Sequence, residues 1–232
     1  VREFDQPSTA TVACVADVSA STRCGVNGKP IAAIVARAIA TIGMSAVFFQ
    51  DPFGIVTFDE GFQHLAGIRP RTGKGHVVHC VDAYQFQRGL QEVKRVDDIG
   101  TTLAGYFRSK TLLPIISDFL FDDYQATLRE LARLNAVHDV FLILIDSAWA
   151  FELPPVSSAW IETVDVETGQ SRTISRRAYQ QLGARVREWQ DEVERAARDV
   201  EIDVVRIGRD EAQADVALEE FVAERRLRKV HT

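Results

Sequence analysis

The sequence predicts an α/β fold: a doubly wound, mainly parallel central sheet with helices on both faces and a small β-hairpin insertion. Three observations predict it. Strand-length apolar runs alternate with helical stretches along most of the chain. Runs such as "TATVACVADV" and "DVFLILID" are apolar at nearly every position, the pattern of a strand buried on both faces. Acidic and hydroxyl residues gather where such runs end, at "CVADVSAST" and "PIISDF".

Taken in order, "TATVACVADV" is the first strand. From Lys29 to about Phe49, "KPIAAIVARAIATIGMSAVFF" has Ala, Ile and Val at helical spacing, with Pro30 suited to a first turn. "FGIVTFD" and "FQHLAGI" read as two strands of a hairpin joined at Glu60-Gly61, and "RPRTGKG" as a loop. Helical patterns follow over about His76 to Leu90 and Thr101 to Arg108, then a strand "TLLPIISDF" and a helix from Asp122 to about Leu134. "DVFLILID" is the next strand. "AWIETVDVETGQSRTIS" reads as two strands around a Glu-Thr-Gly-Gln turn. A long charged helix over about Arg176 to Arg198, a strand "EIDVVRI" and a helix from about Glu211 complete the chain. One domain over residues 1–232 accommodates all of it, with the hairpin inserted at about 156–175.

Composition narrows the function. The chain has 232 residues, 46% of them hydrophobic, enough to bury a sizeable core. Its formal net charge of -6 comes from acidic and basic residues mixed along the chain, which argues against a nucleic-acid surface. The one basic cluster, "ERRLRK" over Glu224 to Lys229, reads as cations complementing a helix C-terminus, or else as a docking contact. Cys14, Cys24 and Cys80 are an odd number without a close pair, which fits a reducing compartment such as the cytoplasm and no disulfide framework. No apolar stretch is expected to be long enough to span a bilayer, and "VREFDQPS" is not a secretory signal. The start on Val1 raises the expectation of a longer chain, with any membrane anchor outside this stretch.

In an open α/β sheet, ligands bind beyond the carboxyl ends of the strands, where strand order reverses. Asp17, Ser19 and Ser21 lie at the end of the first strand. Asp118 lies at the end of another, and "DDIGTTLAG" offers Thr101 and Thr102 in a loop opening a helix. Two carboxylates and three hydroxyls are hard oxygen donors, so the matching ion is Mg²⁺, or alternatively Mn²⁺ or Ca²⁺. Ser19 and Ser21, one residue apart, can place two neutral oxygens on the ion while Asp17 accepts hydrogen bonds from bound water. Neutral donors leave the ion's charge largely uncompensated, so it attracts a carboxylate from outside.

These residues resemble the five-residue metal-ion-dependent adhesion site of von Willebrand factor A domains: Asp17-Val18-Ser19-Ala20-Ser21, a threonine in "GTTL" and the aspartate of "IISDF". The resemblance implies a metal site formed by Asp17, Ser19, Ser21, Thr101 and Asp118, completed by an acidic side chain of a protein partner. The chain also resembles a bacterial family called domain of unknown function fifty-eight. Its strand ending "DxSxS", its "TxL" and "SDF", and segments like "IDSAWAFELPP" and "VDVETGQ" recur here in order, between about Thr9 and Lys229. Members are commonly encoded beside MoxR-type AAA+ ATPases, which implies an adaptor in the maturation of client enzymes or complexes. Two positions depart from the family pattern: Thr22 replaces methionine and Thr102 replaces aspartate. Thr101 and Thr102 both stand as candidate ligands, the "TxL" register favouring Thr101.

Other motifs carry blander readings. His76 and His79, three apart, share a helical face with Cys80 beside them, but further ligands at zinc-like spacing are lacking. "RTGKGH" lacks the pattern of a phosphate-binding loop. Asp17 could open a phosphoryl-transfer site, but Ser19 stands where that chemistry needs a second carboxylate. Trp149 and Phe151 read as packing against the hairpin, or as a patch facing a partner. The sequence therefore predicts a non-enzymatic, metal-dependent protein-interaction domain, the alternative being a Mg²⁺-dependent phosphohydrolase.

Overall fold

The computed structural model describes residues 10–26, 29–59, 62–96, 98–151, 160–164 and 170–230. β1 (Thr11–Asp17) leads through a 3-10 turn (Ala20–Arg23) and two two-residue strands, β2 (Gly25–Val26) and β3 (Lys29–Pro30), into α1 (Ile31–Phe48). β4 (Phe53–Phe58), β5 (Leu65–Arg71), α2 (Lys74–Phe86), β6 (Gln91–Glu92), α3 (Ile99–Tyr106) and β7 (Thr111–Ser117) follow. Then come α4 (Tyr124–Asn135), β8 (Asp139–Ile145), a second 3-10 turn (Ala148–Phe151), β9 (Trp160–Val164), β10 (Ser171–Ser175), α5 (Arg176–Asp199), β11 (Asp203–Ile207) and α6 (Glu211–Val230).

Seven strands form the central sheet in the order β11-β8-β7-β1-β4-β5-β6. Five of them are parallel; β5 runs antiparallel to β4, and β6 antiparallel to β5. The burial of β1, β4, β7 and β8 at nearly every position explains their unbroken apolar sequences, since each face is covered by helices. One cluster joins Cys14 and Ile116 of the sheet to Ile39 of α1, Tyr84 of α2 and Leu218 of α6. The other joins Val15 and Leu142 to Leu103 of α3, Leu128 of α4 and Val193 of α5. From β1 the chain proceeds outward one way to β4 and β5 and the other way to β7, β8 and β11, so strand order reverses between β1 and β7. A crevice beyond their carboxyl ends is where such a sheet accepts a ligand.

Three sequence expectations need correction. "RPRTGKG" is not a loop: Arg69 to Arg71 complete β5 and Lys74 opens α2 after Gly73, whose φ of 112° suits glycine. Pro70 is accommodated because the β4–β5 register shifts between Phe53 and Ile55, an irregularity that spares a ladder position. Pro30 precedes α1 in extended backbone instead of joining its first turn. α1 is, by length and composition, apolar enough to cross a membrane, contrary to the expectation that no stretch is. In this fold that apolarity serves the core: Ile31, Val35, Ile39 and Ile42 are buried, and α1 packs on the sheet beside α2 and α6. Outside the central sheet, β9 and β10 pair antiparallel from Trp160↔Ser175 to Val164↔Ser171, and the expected Glu-Thr-Gly turn between them lies outside the described residues.

Candidate functional site

The carboxyl end of β1 carries Asp17, 1% exposed. One of its carboxylate oxygens accepts the Ser19 backbone N–H at 2.7 Å, and the other accepts the Ser117 hydroxyl from the neighbouring strand β7 at 2.5 Å. Its own carbonyl accepts the Tyr84 hydroxyl of α2 at 2.9 Å. Asp17 is thus fixed from three directions. Beyond it the chain enters the first 3-10 turn, which the Thr22 hydroxyl closes by donating to the Ser19 carbonyl at 2.7 Å. That turn brings the hydroxyls of Ser19 and Ser21 within 3.0 Å of each other. Ser21 in turn donates to Asp118 Oδ1 at 3.3 Å.

Asp118 follows β7 and is also 1% exposed. Its Oδ1 accepts the Leu120 N–H, while Oδ2 is buried without a hydrogen-bond partner. The next residue, Phe119, is fully buried in left-handed backbone with φ 54°. A bulky residue there carries about 1–3 kcal/mol of strain, which the surroundings must hold in place. The Ser117 hydroxyl contributes by accepting the Phe119 N–H at 2.9 Å.

Neither Asp17 nor Asp118 has a cationic partner among the described residues. Burial pushes the Asp118 carboxyl up to about 7, and the nearby Asp17 charge adds to the rise. Asp17 is likewise raised by burial, against the lowering effect of its hydrogen bonds from Ser117 and Ser19. Two buried carboxylates without a counter-ion are costly unless something positive joins them.

The structure therefore brings together four of the five predicted residues, Asp17, Ser19, Ser21 and Asp118, through direct hydrogen bonds. Thr101 makes no hydrogen bond to any of them. It sits in the first turn of α3, where Asp98 caps the helix by accepting the Thr101 N–H at 2.7 Å, and its hydroxyl bonds to no described residue. α3 lies on the same side of the sheet, with Ile99 and Leu103 in one cluster with Val15 and Phe119. Thr102, the rival candidate, is buried with its hydroxyl committed: it donates to the Asp98 carbonyl at 2.8 Å and accepts the Val96 N–H at 3.2 Å. Of the two threonines, only Thr101 keeps a hydroxyl free of described partners.

Sequence reasoning missed Ser117 and Tyr84, which fix Asp17, and the pair Trp189 and Gln190 of α5, which grip the residues after β7. The only signal for Ser117 was its place beside Asp118. No group of three or more His, Cys, Asp and Glu side chains placed to hold a metal occurs among the described residues, His76, His79 and Cys80 included. A site with two carboxylates and neutral hydroxyls falls outside that pattern.

Two of the oxygen spacings are compatible with a small dication, and they equally suit the hydrogen bonds they form. Octahedral Mg²⁺ with ligands at 2.0–2.1 Å places adjacent oxygens about 2.9 Å apart. The Ser19 and Ser21 hydroxyls are 3.0 Å apart and Ser21 lies 3.3 Å from Asp118 Oδ1, beside the unpartnered Oδ2.

Fold and donor residues together describe an α/β chain with a mostly parallel seven-stranded sheet and hard oxygen donors at the carboxyl ends of β1 and β7. The chain belongs to the family described as "Protein of unknown function DUF58", whose model matches residues 1–197 and so ends within α5. Among solved structures it is similar to the conserved hypothetical protein BatB from Bacteroides thetaiotaomicron. That match has a TM-score of 0.52 at 16% identity and covers 92% of this chain and 98% of that one. It is also similar to an aerotolerance-related membrane protein from Bacteroides fragilis NCTC 9343, with a TM-score of 0.50 at 14% identity, covering 93% of this chain and 99% of that one. At such identities the likeness is one of fold. No curated protein matches the chain.

Proposed function

We propose that this chain is a divalent-cation-dependent protein-interaction domain with a metal-ion-dependent adhesion site of the von Willebrand A type. One observation carries the reading: two buried carboxylates, linked to two serine hydroxyls, have no cation of their own among the described residues, and one oxygen of Asp118 has no partner among them. In this reading Ser19, Ser21 and Thr101 hold a Mg²⁺ ion, with Mn²⁺ or Ca²⁺ as alternatives, while Asp17 and Asp118 balance its charge. The bound ion supplies an electrophilic centre for an acidic side chain of a partner. The chain's own residues pre-form the oxygen cradle and exclude bulk water from the carboxylates. The partner is a MoxR-type AAA+ ATPase or its client, and the domain serves as a cytoplasmic adaptor in maturation of that client. None of the three cysteines is in a disulfide, which suits a reducing compartment.

The phosphohydrolase alternative draws less support from the geometry. A nucleophilic carboxylate must reach a phosphorus atom, whereas both oxygens of Asp17 are engaged and the residue is 1% exposed. Ser19 also stands where the second carboxylate is needed.

Calorimetric titration with Mg²⁺ tests the reading. Wild type is expected to bind one ion per chain, and Asp17→Ala, checked for fold by circular dichroism, to give no heat above dilution. Equal heats for the two proteins, or none in wild type, would count against it.

A further inference from the structure

We infer that α5 is the positioning element of the turn that follows β7 and carries Asp118, acting through two consecutive side chains, Trp189 and Gln190. The inference rests on the cation-site reading above and assigns a role to residues 70 positions downstream of the turn they hold.

Gln190 is fully buried at the carboxyl ends of β7 and β8. Its Nε2 lies 3.0 Å from the Asp118 carbonyl, 2.7 Å from the Ile145 carbonyl and 3.2 Å from the Ser147 hydroxyl oxygen. Two protons are shared among three oxygens. Only the amide nitrogen suits that place, since Oε1 is turned toward Arg206, whose Nη2 donates to it at 3.3 Å while Nη1 is held by Asp191. The amide orientation is therefore set by Arg206 of β11. The result is a clamp between two adjacent parallel strands at the point where their ladder ends, one of them followed directly by Asp118.

Trp189 completes the hold. Its indole N–H donates at 2.8 Å to the carbonyl of Phe119, the left-handed residue. Its ring packs edge-on against Tyr124 of α4, with centroids 5.0 Å apart. Consecutive carbonyls, of Asp118 and Phe119, are thus each bound by consecutive residues of one helix. The Ser117 hydroxyl binds the other side of the same turn, bridging the Phe119 N–H to Asp17. A strained backbone persists only where its surroundings over-determine it, and these contacts do so. The strain has a use: Asp118 keeps Oδ1 on Ser21 and Leu120 and leaves Oδ2 unpartnered.

The role is one of positioning, because neither side chain is among the oxygens that face the ion. Two variants isolate it: Gln190→Met, which keeps buried volume and removes the donors, and Trp189→Phe, which removes one N–H. Val140→Ala, at the amino end of β8 away from the crevice, supplies a control of reduced stability. Two readouts are needed, both where all proteins are folded: amide hydrogen exchange at Phe119 and Leu120 in chelator, and Mn²⁺ affinity from the electron paramagnetic resonance of free Mn²⁺. The expected result is exchange at those two amides at least tenfold faster than in Val140→Ala, with Mn²⁺ affinity weakened about tenfold, in either variant. Exchange and affinity equal to the control in both variants would reduce α5 to a packing element and overturn the inference. So would, where wild type binds Mn²⁺, a change in only one of the two readouts. A wild-type chain that leaves Mn²⁺ free sinks the cation reading itself, and the exchange data then still decide whether α5 holds the turn.

Discussion

Asp118→Asn is expected to melt higher than wild type at pH 8 in chelator, while losing the stabilisation that Mg²⁺ gives the wild type. The substitution removes a charge that burial and the neighbouring Asp17 disfavour, and keeps an oxygen that can accept from Leu120 and Ser21. The sign follows from proton linkage. The Asp118 carboxyl titrates at about 7 in the fold, above its value of 3.8 in an unfolded chain, so the native state binds the proton more tightly. Stability is then fully present at acidic pH and falls as pH rises through that window. A tenfold difference in proton affinity is worth about 1.4 kcal/mol, so the penalty at pH 8 is on the order of a few kcal/mol. For a chain of this size that is on the order of 10–15 °C in melting temperature. The two proteins are expected to converge near pH 4. A variant that melts lower than wild type at pH 8 in chelator would show that the buried charge carries no such penalty.

The second large effect belongs to the hydroxyls. A double variant, Ser19→Ala with Ser21→Ala, is expected to lose at least a hundredfold in Mg²⁺ affinity, while its stability in chelator changes by about 1 kcal/mol. The asymmetry arises because the pair is only partly buried and its mutual hydrogen bond has a small net value, whereas both oxygens are ligands in the proposed site. At an ion concentration a hundred times its dissociation constant, wild type gains about 2.7 kcal/mol from binding, and the double variant gains almost nothing. Thermal shift with and without 5 mM Mg²⁺ reads the difference. An undiminished shift in the double variant would remove the serines from the site.

The strands of the sheet were legible because burial on both faces leaves its mark on each residue: β1, β7 and β8 are apolar nearly throughout. The helices were legible for the related reason that one face of each must meet that sheet. β2, β3 and β6, at two residues each, are too short to show any period. "RPRTGKG" misled because Pro70 and Gly73 signal breaks locally, while pairing of β5 along β4 decides the outcome. At the site, Asp17, Ser19 and Ser21 could be read together because one short turn carries all three. Asp118 could be joined to them only by supposing two strand ends adjacent, and the order β7-β1 supplies that adjacency. Ser117, Tyr84, Trp189 and Gln190 act across 67 to 100 residues of sequence, where no local pattern encodes a partner. Thr102 illustrates the converse: its hydroxyl looks as available as that of Thr101 until the fold commits it to Asp98 and Val96.

Central to the proposed function is a dication seated among oxygens from three loops. Crystals soaked in Mn²⁺ and measured at an energy where manganese scatters anomalously locate such an ion without assumption. The expected map has one strong peak, within bonding distance of the Ser19 and Ser21 hydroxyls and facing Thr101 and Asp118. A map without a peak there at millimolar Mn²⁺, with Asp118 Oδ2 still unpartnered, would contradict it.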